Sequence, residues 1–288
     1  MPFFPKSTLA VAISTALLAS QLANANIVIE EGTVSENPIA LDGNGNLTVK
    51  GSVSSHRFPR MYPYPWASAV SVSGQEINTN ITIEETGSVF GGYHEPQDRN
   101  YVSAAIFVDS AQGNLNITNS GTINLQDGFP YALSGIEIYS HSGDVNLTGQ
   151  IHNTSSGSIY GDSRGLTLKS SYSNGYLTSF TGNIINDGTI HADYGAINLS
   201  GRYETEEHPE NRLKFSGNIT NHGTLSGGTG IHVSSADING EIYTDGIINS
   251  ENYNGVNLYG TQLSGSITNN GSIGSVHNKC GLSQWDAS

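Results

Sequence analysis

The chain has 288 residues, a net charge of −14 and 12% charged residues, against about 25% in an ordinary globular domain. Gly, Asn, Ser and Thr dominate it; all are poor helix formers, which excludes a helical bundle. Its 11 Lys and Arg cannot form a broad basic stripe for nucleic acid, and its 1 Cys excludes an intramolecular disulfide or a multi-Cys metal site.

Residues 1–25 read as an export signal. Lys6 gives a short positive start, residues 7–23 are largely apolar, and Ala23-Asn24-Ala25 has the small-x-small pattern of a cleavage site. The apolar run falls short of the roughly 20 residues of a membrane span. It is also interrupted by Ser14, Thr15, Ser20 and Gln21. The mature chain is therefore expected to begin at Asn26 and to enter the export machinery. No later segment is apolar enough to cross a membrane as a helix.

The remainder is a repeat of the form Gly-x-Ile-x-Asn-x-Gly-x-Ile. Gly182, Ile184, Asn186, Gly188 and Ile190 match it in full, as do Gly265, Ile267, Asn269, Gly271 and Ile273. Looser copies carry their second Gly at 87, 121, 157, 223 and 246. A second element follows in each unit, Gly and then an aliphatic-x-aliphatic triplet, as in Gly135-Ile136-Glu137-Ile138 and Gly230-Ile231-His232-Val233. The period of two places aliphatics on one face and polar residues on the other. The Asn-x-Gly steps are expected to turn, because Gly accepts positive φ and Asn tolerates it. One unit cannot bury its own apolar face, whereas stacked units can. The expected fold is all-β, a parallel β-helix over residues 26–274, with one coil per repeat. An antiparallel sandwich is the rival, and the phased motif argues against it. Asn119, Asn153, Asn186, Asn221 and Asn269 are expected to stack at one corner and bond coil to coil.

Units of unequal length imply outer loops, at residues 56–66, 93–100, 171–176 and 202–212. Arg57, Arg60, Tyr62, Tyr64 and Trp66 form the candidate binding loop, because Tyr, Trp and Arg are enriched in contact hot spots and neighbouring prolines lower the ordering cost. The charged loop at residues 202–212 reads as solvated surface.

The export signal and the Asn/Gly/Ile repeats resemble the passenger region of autotransporters (type V secretion) of Gram-negative bacteria. That resemblance implies a right-handed β-helix shown on the outer surface as an adhesin or another virulence-associated protein. It implies a host-cell or matrix receptor, or self-association, as partner. The resemblance would place the chain at the cell surface or outer membrane if a β-barrel accompanies it, and otherwise in the periplasm or medium. No barrel-like run of alternating strands follows Ile273. Residues 275–288 break the repeat and are expected to form an irregular, shortened tail.

Chemistry-bearing motifs are sparse. Gly161-Asp162-Ser163-Arg164 resembles the Gly-Asp-Ser step of some serine hydrolases but reads as a polar turn. Asp42-Gly43-Asn44-Gly45-Asn46 lacks the later Gly and Glu of a calcium loop and reads as a turn into Leu47. Asp162 with Arg164, and Asp187 with His191, are the nearest pairs to a polysaccharide-lyase site. His222 with His232, or His141 with His152, could meet between coils. The eight Asn-x-Ser/Thr sites, Asn80, Asn116, Asn146 and Asn218 among them, follow from composition. The reading is a non-enzymatic exported passenger, with no catalytic, cofactor or metal residue assigned. A carbohydrate-active β-helix enzyme and a two-partner-secretion exoprotein are the alternatives.

Overall fold

The computed structural model describes residues 25–54, 68–91, 104–125, 134–171, 175–201, 212–275 and 282–285. These residues hold 25 strands and no helix. The strand pairings are parallel throughout. The chain is a β-solenoid, and the antiparallel sandwich is excluded.

Its walls follow from alternation. In the first wall, Ile27, Leu47, Ile81, Ile117, Ile151, Ile184, Ile219, Ile242 and Ile267 align in register from coil to coil. The second wall stacks Val89, Ile123, Ile159, Ile190, Leu225 and Ile248. The third stacks Val70, Ile106, Ile136, Leu166, Ile197, Ile231 and Val256. A shorter column adds Leu147, Phe180, Phe215 and Ile238, where the two Phe rings lie parallel at 6.0 Å. These columns form one continuous buried core. Each interior aliphatic contributes roughly 1.5–3 kcal/mol by leaving water. Ile27, Ile29, Leu263, Ile267 and Ile273, at the two ends of the stack, are only partly buried.

The glycines serve close approach as much as turning. The second Gly of each repeat, expected to need positive φ, does not have it. It sits where a side chain has no room: a Cβ on Gly188, Gly223 or Gly246 would lie 2.1–2.2 Å from the carbonyl oxygen of the equivalent Gly one coil earlier. The first Gly has both constraints. Gly182, at φ 150°, would place a Cβ 1.7 Å from Gly149 O. The Gly before the triplet leaves space for a neighbouring wall, since a Cβ on Gly165 would meet Ile190 Cγ2 at 2.3 Å.

Asparagines tie the coils together inside the corner. Asn119 Nδ2 donates to Asn153 Oδ1 (2.8 Å), Asn153 Nδ2 to Asn186 Oδ1 (2.8 Å), and Asn186 Nδ2 to Asn221 Oδ1 (2.7 Å). Asn221 Nδ2 then donates to Thr244 Oγ1 (3.0 Å). Each amide also reaches turn carbonyls; Asn186 Nδ2 approaches Gly188 O and Thr224 O. All four Asn side chains are buried. The run starts above Ile83, which has nothing to donate, and Asn119 Oδ1 is left without a partner. Asn269 is exposed, and its Oδ1 accepts from Gly271 N.

Further local expectations change, among them the irregular tail, of which Leu282–Trp285 is a strand pairing in register with Val256–Tyr259. Residues 42–46 are not a turn but part of the strand Ile39–Val49, with Gly43 at a register shift and φ 101°. Arg212, expected on a solvated loop, is 9% exposed. Its Nε donates to Asp237 Oδ1 (2.5 Å), and a terminal nitrogen donates to Ala236 O (2.7 Å) and Gly260 O (3.0 Å), clamping three coils.

Candidate functional site

The expected binding loop, Arg57, Arg60, Tyr62, Tyr64 and Trp66, lies outside the described residues, as do 93–100, 172–174 and 202–211. Two of the other sequence pairs separate. Asp187 pairs with His152 (2.7 Å), not with His191, whose Nδ1 meets Ser226 Oγ at 2.9 Å. His222 pairs with Asp245 (2.6 Å), while His232 lies on the third wall beside Asn257. Ser163 stands in the turn before Arg164–Lys169, its carbonyl accepting from Tyr194 N and Gly195 N. Among the described residues no three His, Cys, Asp or Glu are grouped to hold a metal ion.

The structure instead assembles a polar cluster on the outer side of the third wall. The middle residues of the aliphatic-x-aliphatic triplets align there: Phe107, Glu137, Thr167, Asn198, His232 and Asn257. Ser134, Arg164 and Thr229 belong to the rank on one side; Tyr139, Lys169 and Ser200 belong to the rank on the other. An outward face is ordinarily wet, yet Glu137 is 3%, Thr167 0% and Asn198 4% exposed. Burial of this kind demands partners. Ser134 Oγ meets Thr167 Oγ1 at 3.1 Å, and Asn257 Nδ2 meets His232 Nδ1 at 3.2 Å. Glu137 Oε2 and Asn198 Nδ2 have none.

Burial also sets the charge states. It raises the Glu137 carboxyl from 4.5 to about 7, against the opposing pull of Lys169 and Arg164 and a hydrogen bond from Ser134. Burial lowers the Lys169 ammonium, which Glu137 partly restores. The Lys169 Nζ stands 4.6 Å from the centroid of the Tyr139 ring. Burial, with Arg164 nearby, lowers His232. The cluster thus holds a carboxyl that exchanges a proton near neutrality under the influence of Lys169 and Arg164, with the unpartnered Asn198 amide two coils along the same rank. Such a carboxyl can act as a general acid or base. Among the described residues Glu137 is the one carboxylate named in these three ranks, and Asp109, 8% exposed, follows Val108 on the coil before it.

The sequence alone does not single out this cluster: alternation makes Glu137 and Asn198 ordinary outward polar positions and offers His232 only as a partner for His222. The available signal was phase: all occupy the middle of the same triplet. Comparison of the chain with family models, with curated proteins and with solved structures gave no match. No helix among the described residues is long and apolar enough to cross a membrane.

Proposed function

We propose that the chain is an exported β-solenoid passenger that binds without turnover, an adhesin of the autotransporter kind or a piece of one. The observation that carries this reading is the division of labour across each strand. Inward residues are consumed by aliphatic columns and the asparagine ladder, leaving the outer side of the first wall, unlike the buried outer side of the third, open for recognition. Residues 1–25 supply the export step, and the loop bearing Arg57, Arg60, Tyr62, Tyr64 and Trp66 supplies a contact surface for a host-cell or matrix receptor. Fold does not dictate function, and the adhesive role is an analogy from the fold. The cell surface or outer membrane is the proposed destination where a barrel is present, and the periplasm or medium otherwise.

Expression with the native N-terminus in a Gram-negative host, followed by mass measurement, tests the export step. A mature chain starting at Asn26 outside the cytoplasm supports it; an unprocessed chain retained in the cytoplasm refutes it. A second reading, a carbohydrate-active enzyme, is favoured by one observation: the near-neutral Glu137 carboxyl beside Lys169 and Arg164.

A further inference from the structure

A different wall carries a ligand signature that is independent of export. In the first wall, Asn44-x-Asn46-x-Thr48 pairs in register with Asn78-x-Asn80-x-Thr82. That rung pairs in turn with Asn114-x-Asn116-x-Thr118. The intervening Leu47, Ile81 and Ile117 are buried, which turns the Asn and Thr side chains outward. The result is a grid with rungs about 4.8 Å apart and ranks about 6.6 Å apart. Asn46 Nδ2 donates to Asn26 Oδ1 (2.7 Å), Asn80 Nδ2 to Asn46 Oδ1 (2.7 Å), and Asn116 Nδ2 to Asn80 Oδ1 (2.9 Å). In the adjacent rank Asn114 Nδ2 donates to Asn78 Oδ1 (3.3 Å). A shallow groove lies over the grid, lined by Asn26, Asn44, Gly45, Asn46, Asn78 and Asn80.

Three of the Asn-x-Thr sites, Asn46, Asn80 and Asn116, lie in this grid, and Asn218 begins a fourth further along the same wall, where Asn and Thr flank an inward aliphatic. The grid is also uncharged. The chain carries 25 Asp and Glu, yet none lies within these three rungs; charge appears further along the same wall, at His152 with Asp187 and at Glu241.

We infer that this wall binds a neutral, extended polysaccharide lying along the solenoid axis. Each ladder amide spends one N–H and one lone pair on its neighbour, leaving a donor and an acceptor for the ligand. A sugar hydroxyl needs both. An ionic ligand would lose water with no countercharge to meet, and an apolar partner would strand the amides. Identical rungs suit a ligand that repeats, because weak contacts then add through avidity. The hydrogen-bonded ladder holds the amides in place beforehand, which lowers the ordering cost.

The test is retention of the purified chain on insoluble cellulose, chitin and cross-linked dextran, with alginate as the charged comparison. Retention is expected on at least one neutral matrix, unmoved by 1 M salt because no ion pair is involved. Asn80→Ala with Asn116→Ala should weaken it by about tenfold. Thr48→Val with Thr82→Val, which keeps the strand shape, should weaken it in the same direction even if the double Asn variant fails to fold. Tyr194→Ser, on another wall, should leave it unchanged. Absence of retention on all neutral matrices, release by salt, or retention unaffected by the grid variants would overturn the assignment. Ice shaping without any retention would give the wall to an ordered water lattice instead.

Discussion

Replacing Glu137 by Gln removes a carboxyl that the fold holds in the wrong charge state at neutral pH. Its pKa is raised from 4.5 to about 7. Between those two values the folded chain holds a proton that the unfolded chain has released. Stability therefore falls as pH rises through that window and is level above it. The gap is worth about 3 kcal/mol, taking roughly 1.4 kcal/mol for each pKa unit. The opposing attraction of Lys169 and Arg164 is already contained in the raised value. Gln is neutral at every pH and close in shape. Near pH 4.5 Glu137→Gln should change stability little, and at pH 8 it should stabilise the chain by up to about 3 kcal/mol. Urea unfolding of parent and variant at both pH values measures the difference, and the other carboxylates cancel in it. A variant that is less stable than the parent at pH 8 would refute the reasoning, since it would show Glu137 stabilised as an anion by Lys169 and Arg164.

Three further outcomes follow from packing. Asn186→Ala breaks the interior ladder on both sides and leaves Asn153 and Asn221 short of a partner; it should cost about 3 kcal/mol, whereas exposed Asn269→Ala should cost under about 0.5 kcal/mol by the same unfolding curves. Gly182→Ala drives a Cβ to 1.7 Å from Gly149 O at φ 150°, so it should cost more than about 4 kcal/mol or abolish soluble expression. Arg212→Leu leaves Asp237 without its cation and Ala236 O and Gly260 O without a donor; a loss of about 3 kcal/mol should appear as faster amide exchange at residues 236–239 than at residues 145–153.

The fold was legible because its period is written twice. The Gly-x-Ile-x-Asn-x-Gly-x-Ile phase fixes which Ile faces in, and in-register stacking of Ile151, Ile184 and Ile219 realises that phase. The candidate cluster was not legible, since nothing local separates Glu137 from any outward polar residue. Its 3% exposure is a property of what surrounds the wall, not of the triplet. Arg212 is hidden for the same reason: it follows a charged stretch, but its guanidinium turns onto carbonyls of later coils. The Asn-x-Thr grid was hidden by composition. In a chain rich in Asn and Thr the triplets carry no surprise until register shows them on one wall.

The central claim is recognition without turnover. It is tested most directly by incubating the folded chain with neutral and acidic polysaccharides and with matrix proteins, scoring bound protein and ligand length in the same samples. The account predicts saturable retention with ligand length unchanged, in the parent and in Glu137→Gln alike. Shortened ligand that depends on Glu137 would contradict it and make the third wall an active site.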